Sequence, residues 1–178
     1  MKKILIIVFA SLLIGCDKEY ETRLADLKTP VCTGFYLTDP MGYDYKIIGN
    51  PNVKRNDSPD GNANNSMHQL AVFPNPAYSD GIYIAVISKP PIQNKSVWMV
   101  AAKVDIEMEP IYQVMNSSYL IAGGNPVFSS ENDTSFITRV DLNNIPEGYY
   151  RVYCQVDDVL LWDNIIFLKE NYENTGNN

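Results

Sequence analysis

The stretch Tyr149–Leu168, YYRVYCQVDDVLLWDNIIFL, decides the fold. Its first eight residues alternate. Tyr150, Val152, Cys154 and Val156 point to one face, and Tyr149, Arg151 and Tyr153 to the other. A period of two is the signature of a β-strand with one buried side. Asp157-Asp158 then forms a tight hairpin turn, and Val159–Leu168 returns as a second strand. The inward set, one aromatic ring, two valines and a thiol, is core material.

The same signal recurs upstream. Ser135–Leu142 alternates, with Phe136, Thr138, Val140 and Leu142 on one face and Ile137, Arg139 and Asp141 on the other. Ile82–Ile87 is rich in β-branched residues and apolar on both faces, which predicts a central strand. Met67–Phe73, Val97–Val104, Ile111–Met115 and Tyr119–Ala122 complete the series, broken by Pro90-Pro91, Pro110 and Gly123-Gly124. Val31–Leu37 and Tyr43–Ile48 flank Thr38–Gly42, whose Pro40-x-Gly42 is turn chemistry and predicts a further hairpin. Between them and the main series lies Gly49–Ser66, GNPNVKRNDSPDGNANNS, read as a long exposed loop because it has almost no apolar residues. About ten short strands with no amphipathic helix predict an all-β chain folded as an antiparallel β-sandwich over residues 31–170. Residues 171–178 read as a polar tail.

The chain begins MKKILIIVFASLLIGCDKEYE. Lys2 and Lys3 precede an apolar run from Ile4 to Ile14, the anatomy of a bacterial secretory signal. The run is well short of the roughly 20 residues that span a bilayer. Leu13-Ile14-Gly15-Cys16 resembles the lipobox of bacterial lipoproteins. That resemblance implies cleavage of residues 1–15, lipidation of Cys16 and anchoring in the outer membrane, at the cell surface or the periplasmic face. Residues 16–30 would be a flexible tether of about 20 Å. Asp17–Glu21 resembles the acidic surface-export signals of such lipoproteins.

Removing residues 1–15 leaves 163 residues and takes the net charge from −7 to −9. A chain of pI near 4.6 is poorly suited to nucleic acid, which needs clustered Lys and Arg. With Cys16 assigned to lipid, Cys32 and Cys154 remain. A disulfide between them would close a loop of about 120 residues and stabilise by up to about 4–5 kcal/mol. Two buried thiols are the equal alternative.

Two further segments resemble the C-terminal sorting domains of type IX secretion (Por secretion tails). Leu70–Ala77, LAVFPNPA, looks like their opening, and Val140–Val152, VDLNNIPEGYYRV, looks like their later segment. The resemblance implies an Ig-like sandwich of about seven strands, with Pro74 and Pro76 holding Phe73 and Asn75 extended. A lipid anchor already supplies attachment, so the sorting function itself is not expected to carry over.

The chemistry of catalysis is sparse. His68 is the single histidine, and its neighbours Ser66 and Gln69 form no nucleophile elbow. Asp57, Asp60 and Asn62 do not match the alternating calcium loop. Asp157, Asp158 and Asp163 are the carboxylates nearest to a glycosidase pair. No enzyme activity, metal or cofactor other than the covalent lipid is expected. The functional signal is aromatic. Tyr149-Arg151-Tyr153 forms an outward stripe that Tyr36, Tyr43, Tyr45 and Trp162 can extend, suited to docking another envelope protein of a type IX secretion or gliding assembly, or a surface glycan.

Overall fold

The computed structural model describes residues 29–78, 81–113 and 125–169. The signal segment, Cys16, most of the tether, the polar tail and the strand expected at Tyr119–Ala122 lie outside these residues. The decisive hairpin forms as expected. β10 (Gly148–Val156) and β11 (Val159–Phe167) pair antiparallel with Val156 opposite Val159. Asp157 takes a positive φ of 49° in the turn, a conformation Asp tolerates. Its carboxylate accepts the Gln93 and Asn94 amides.

The remaining strands are β1 (Val31–Cys32), β2 (Gly34–Thr38), β3 (Asp44–Gly49), β4 (His68–Phe73), β5 (Ile82–Ser88), β6 (Lys95–Ala101), β7 (Lys103–Val104), β8 (Phe128–Asp133) and β9 (Ile137–Val140). One sheet runs β4-β5-β9 and the other β11-β10-β6-β8. Read along the chain, this is the A-B-E and G-F-C-C′ order of an immunoglobulin-like sandwich. β5 is the central strand of its sheet, as its composition predicts. Tyr150, at the start of β10, donates its hydroxyl to the Pro146 carbonyl and closes a tyrosine corner.

Two cores result. The larger lies between the sheets and holds the inward faces of all seven strands, among them Val72, Ile84, Met99, Val140, Val152 and Leu161. The smaller lies on the outer side of the four-stranded sheet, where β1 and the β2–β3 hairpin cover its Tyr149 end. Phe35, Leu37 and Ile48 pack there against Ala102, Ile166 and Leu168. Cys154 belongs to the larger core and Cys32 to the smaller. The Cys32–Cys154 disulfide is therefore absent, and both are free buried thiols. Burial pushes them up to about 12 and about 11 respectively.

Gly49–Ser66 differs from the loop expected. Its first part is a strap across one side of the sandwich. Lys54 pairs with Trp162 of β11 in both directions, at 3.0 and 2.9 Å, and the Arg55 carbonyl accepts the Leu70 amide of β4 at 2.7 Å. The second part, residues 59–65, is exposed throughout, whereas the first alternates exposed residues such as Asn52 and Lys54 with half-buried ones. The Pro74-Asn75-Pro76 segment leaves β4, both prolines follow cis peptide bonds, and Asn75 and Ala77 bridge to Thr38 and Phe167. Asn75 is buried, donates to the Tyr36 and Asn164 carbonyls and accepts the Ile166 amide, so it joins three segments.

Candidate functional site

Register across the four-stranded sheet puts three large aromatic residues on one line. Tyr153 of β10 stands opposite Trp98 of β6 and opposite Trp162 of β11, and Ser129 of β8 extends the line beyond Trp98. Directly opposed residues share a face. Cys154, Val97 and Leu161 fill the inner face, so this row lies on the outer one. Trp98 and Tyr153 stack with centroids 5.4 Å apart and planes 16° from parallel. The next outer rung is Ser96, Gln155 and Leu160. Together these residues floor a groove of about 870 Å³, with Glu131 at its rim. Lys54 lies 5.9 Å from the centre of the Trp162 ring.

The stripe expected from sequence is split by the cover. Tyr149 packs against Phe35 at 5.9 Å and donates its hydroxyl to the Tyr112 carbonyl. Arg151 donates to Asn164 Oδ1, to Asn52 Oδ1 and to the Val31 carbonyl at 2.9–3.0 Å. It holds the N-terminal segment down. Tyr153 floors the groove beyond the cover, Arg151 lines it where the two meet, and Trp162 is the one proposed extension that joins them. Tyr36 lies under the Arg55 guanidinium at 4.8 Å. Tyr43 and Tyr45 are exposed on the β2–β3 hairpin, 72% and 59% accessible, and do not line the groove. Trp98 was missed although its strand was legible, because only inter-strand register places it beside Tyr153. Asn52 carried no sequence signal.

Asn52 is the hub of the cover. Its Oδ1 accepts from the Thr33 amide, Arg151 and Asn164, its Nδ2 donates to the Val31 carbonyl, and its carbonyl accepts the Trp162 indole N–H.

The other sequence candidates sit apart. His68 is buried and meets Ser88 at 2.9 Å through Nδ1, while the Ser88 hydroxyl donates to the Pro90 carbonyl. With its proton committed there, Ser88 is placed to accept from the imidazole rather than to be deprotonated by it. Asp57 accepts the Met67 and His68 amides, and Asp60 accepts from Ser58, Asn62 and Asn65, so both organise their own loop. Hydrogen bonds from these groups hold Asp60 at about 2. Among the described residues no three His, Cys, Asp or Glu gather as a metal site. Asp163 is buried on the inner face of β11, ion-paired to Arg55 at 2.9 Å. It pairs with Val152, four residues before the end of β10, so it stands about 13 Å or more from the Asp157-Asp158 turn. That exceeds the 5–9 Å of a glycosidase pair.

No family model and no curated protein matches the chain. Among solved structures it is similar to a DUF3244 family protein with an immunoglobulin-like β-sandwich fold from Bacteroides vulgatus ATCC 8482. The two share 13% identity with a TM-score of 0.35, over 55% of this chain and 82% of that one.

Proposed function

We propose that this chain is a non-catalytic outer-membrane lipoprotein, anchored through Cys16, whose sandwich is a recognition module for another component of the cell envelope. The working surface is the open half of the outer face of the four-stranded sheet. One observation carries this reading: the N-terminal cover buries Tyr149 and engages Arg151 and the Trp162 indole N–H but leaves the stacked Trp98–Tyr153 pair open. Large aromatic rings left half-exposed beside a covered core are typical of contact surfaces. The partner is a protein of an envelope assembly, of the type IX secretion or gliding kind, or a surface glycan. The hydroxyl and amide groups of Ser96, Ser129 and Gln155 along the groove favour the second.

The test has two parts. Metabolic labelling with palmitate should mark the wild-type chain and not Cys16→Ala. Affinity capture from mildly solubilised envelopes should retain the same component reproducibly with wild type and lose it with Tyr153→Ala. Equal retention by both, or recovery of the protein alone, overturns the assignment of this face.

A further inference from the structure

The groove has an aromatic floor and a hydroxyl and amide wall. Parallel rings touch at about 3.5–4 Å. A centroid separation of 5.4 Å therefore means that Trp98 and Tyr153 are slid past one another by roughly 4 Å, and each leaves part of its face uncovered. Ser96 and Ser129 lie on the same outer face, and their hydroxyls make no hydrogen bond to another described residue. Gln155 stands directly opposite Ser96, in the middle of the Ser96–Gln155–Leu160 rung.

The backbone and charges narrow the ligand. β6 and β10 are internal strands whose main-chain groups are consumed by their neighbours. An extended peptide laid along the β6–β10 floor would find no free main-chain groups to pair with, since the sheet's edges are β8 and β11. The charges favour a neutral ligand over an anionic one: Arg151 is committed to Asn52, Asn164 and Val31, Glu131 adds a negative charge to the rim, and the remaining cation nearby, Lys54, lies over the Trp162 ring. A pyranose ring presents an apolar C–H face and an equatorial rim of hydroxyls. It matches an aromatic floor bordered by Ser and Gln.

We propose that the groove binds a neutral glycan, its sugar rings laid on the Trp98–Tyr153–Trp162 row and its hydroxyls bonded to Ser96, Ser129 and Gln155. This rests on the reading of the chain as a binding module and names its ligand class.

The chain has two tryptophans, and both line the groove. Intrinsic fluorescence therefore reports occupancy directly. Soluble starch, laminarin, xylan and mannan are titrated into the protein, with alginate as the anionic control. At least one neutral glycan should shift or quench the emission saturably, and alginate should not. Tyr153→Ala should weaken binding by about tenfold or more, equivalent to about 1.4 kcal/mol. Tyr153→Phe, which keeps the ring, should stay within about threefold, and both variants should keep the wild-type circular dichroism. A flat response to every neutral glycan overturns the proposal, as does binding that Tyr153→Ala leaves intact. If the glycans are silent while the envelope capture returns a protein that Tyr153→Ala loses, the glycan assignment falls and the recognition-module reading stands.

Discussion

Asp163 shows how one buried carboxyl sets a pH dependence. It lies between Leu161 and Ile165 on the inner face of β11, and Arg55 reaches it from the strap. Burial outweighs the guanidinium's attraction and pushes the carboxyl up to about 6, from 3.8 in an unfolded chain. The native state therefore holds this proton more tightly than the unfolded state. The stability contributed is full below about pH 4 and is lost as pH rises through about 6, on the order of 3 kcal/mol. Asp163→Asn should remove this slope, read as the urea-unfolding free energy between pH 4 and 6.5. A slope as steep as wild type would assign it to other groups. Arg55→Ala leaves the carboxylate buried without its cation. It should cost about 3 kcal/mol at pH 7.5 and distinctly less at pH 5, where Asp163 carries a proton. Asp133 acts with the opposite sign. Burial raises it, but the Ser135 amide and hydroxyl and the buried Lys95 more than reverse that and hold it well below the usual carboxylate range. Its contribution is present above about pH 4 and is lost as pH falls.

At the scale of elements, the N-terminal cover is held by polar clasps around a small core. Gly34 is a point of close backbone approach: a Cβ there would fall 2.5 Å from the Pro51 nitrogen and 2.6 Å from the Ile48 carbonyl oxygen, both backbone atoms. Gly34→Ala should destabilise by about 2 kcal/mol or more through overpacking. Asn52→Ala should cost less, about 1–2 kcal/mol, since Asn52 is exposed and water can replace its bonds. Its specific signature is faster amide exchange at Thr33 and indole exchange at Trp162, with Val152 and Met99 amides unchanged. Uniform acceleration across both sheets would mean that the clasp supports the whole fold. The elements differ in how legible they were. β10 and β11 were readable because alternation is imposed by a face buried in the larger core. β8, FSSEND, was missed because its residues carry no apolar period, and only pairing with β6 makes it a strand. The strap was read as exposed because it joins β11 and β4 through backbone hydrogen bonds and polar side chains, Asn52 and Arg55, which leave no apolar period. The parity of Tyr149, Arg151 and Tyr153 was correct, yet parity says nothing about the segment 100 residues upstream that lies over the first two.

Among the described residues there are two buried clusters of unequal size, twenty residues between the sheets and eight beneath the cover. Apolar area removed from water scales with these numbers, so the cover should open at lower cost than the sandwich. The two free cysteines report on the two clusters separately, Cys32 under the cover and Cys154 between the sheets. Desolvation keeps both thiols protonated and unreactive in the native state. A pulse of alkylating reagent at increasing urea, read by peptide mass, should label Cys32 at lower urea than Cys154. Asn52→Ala should widen the gap by moving the Cys32 transition alone. Coincident labelling of both cysteines in wild type and variant would show instead that cover and sandwich open as one cooperative unit. In that case the strap that ties β11 to β4, rather than the size of each core, would govern how the molecule comes apart.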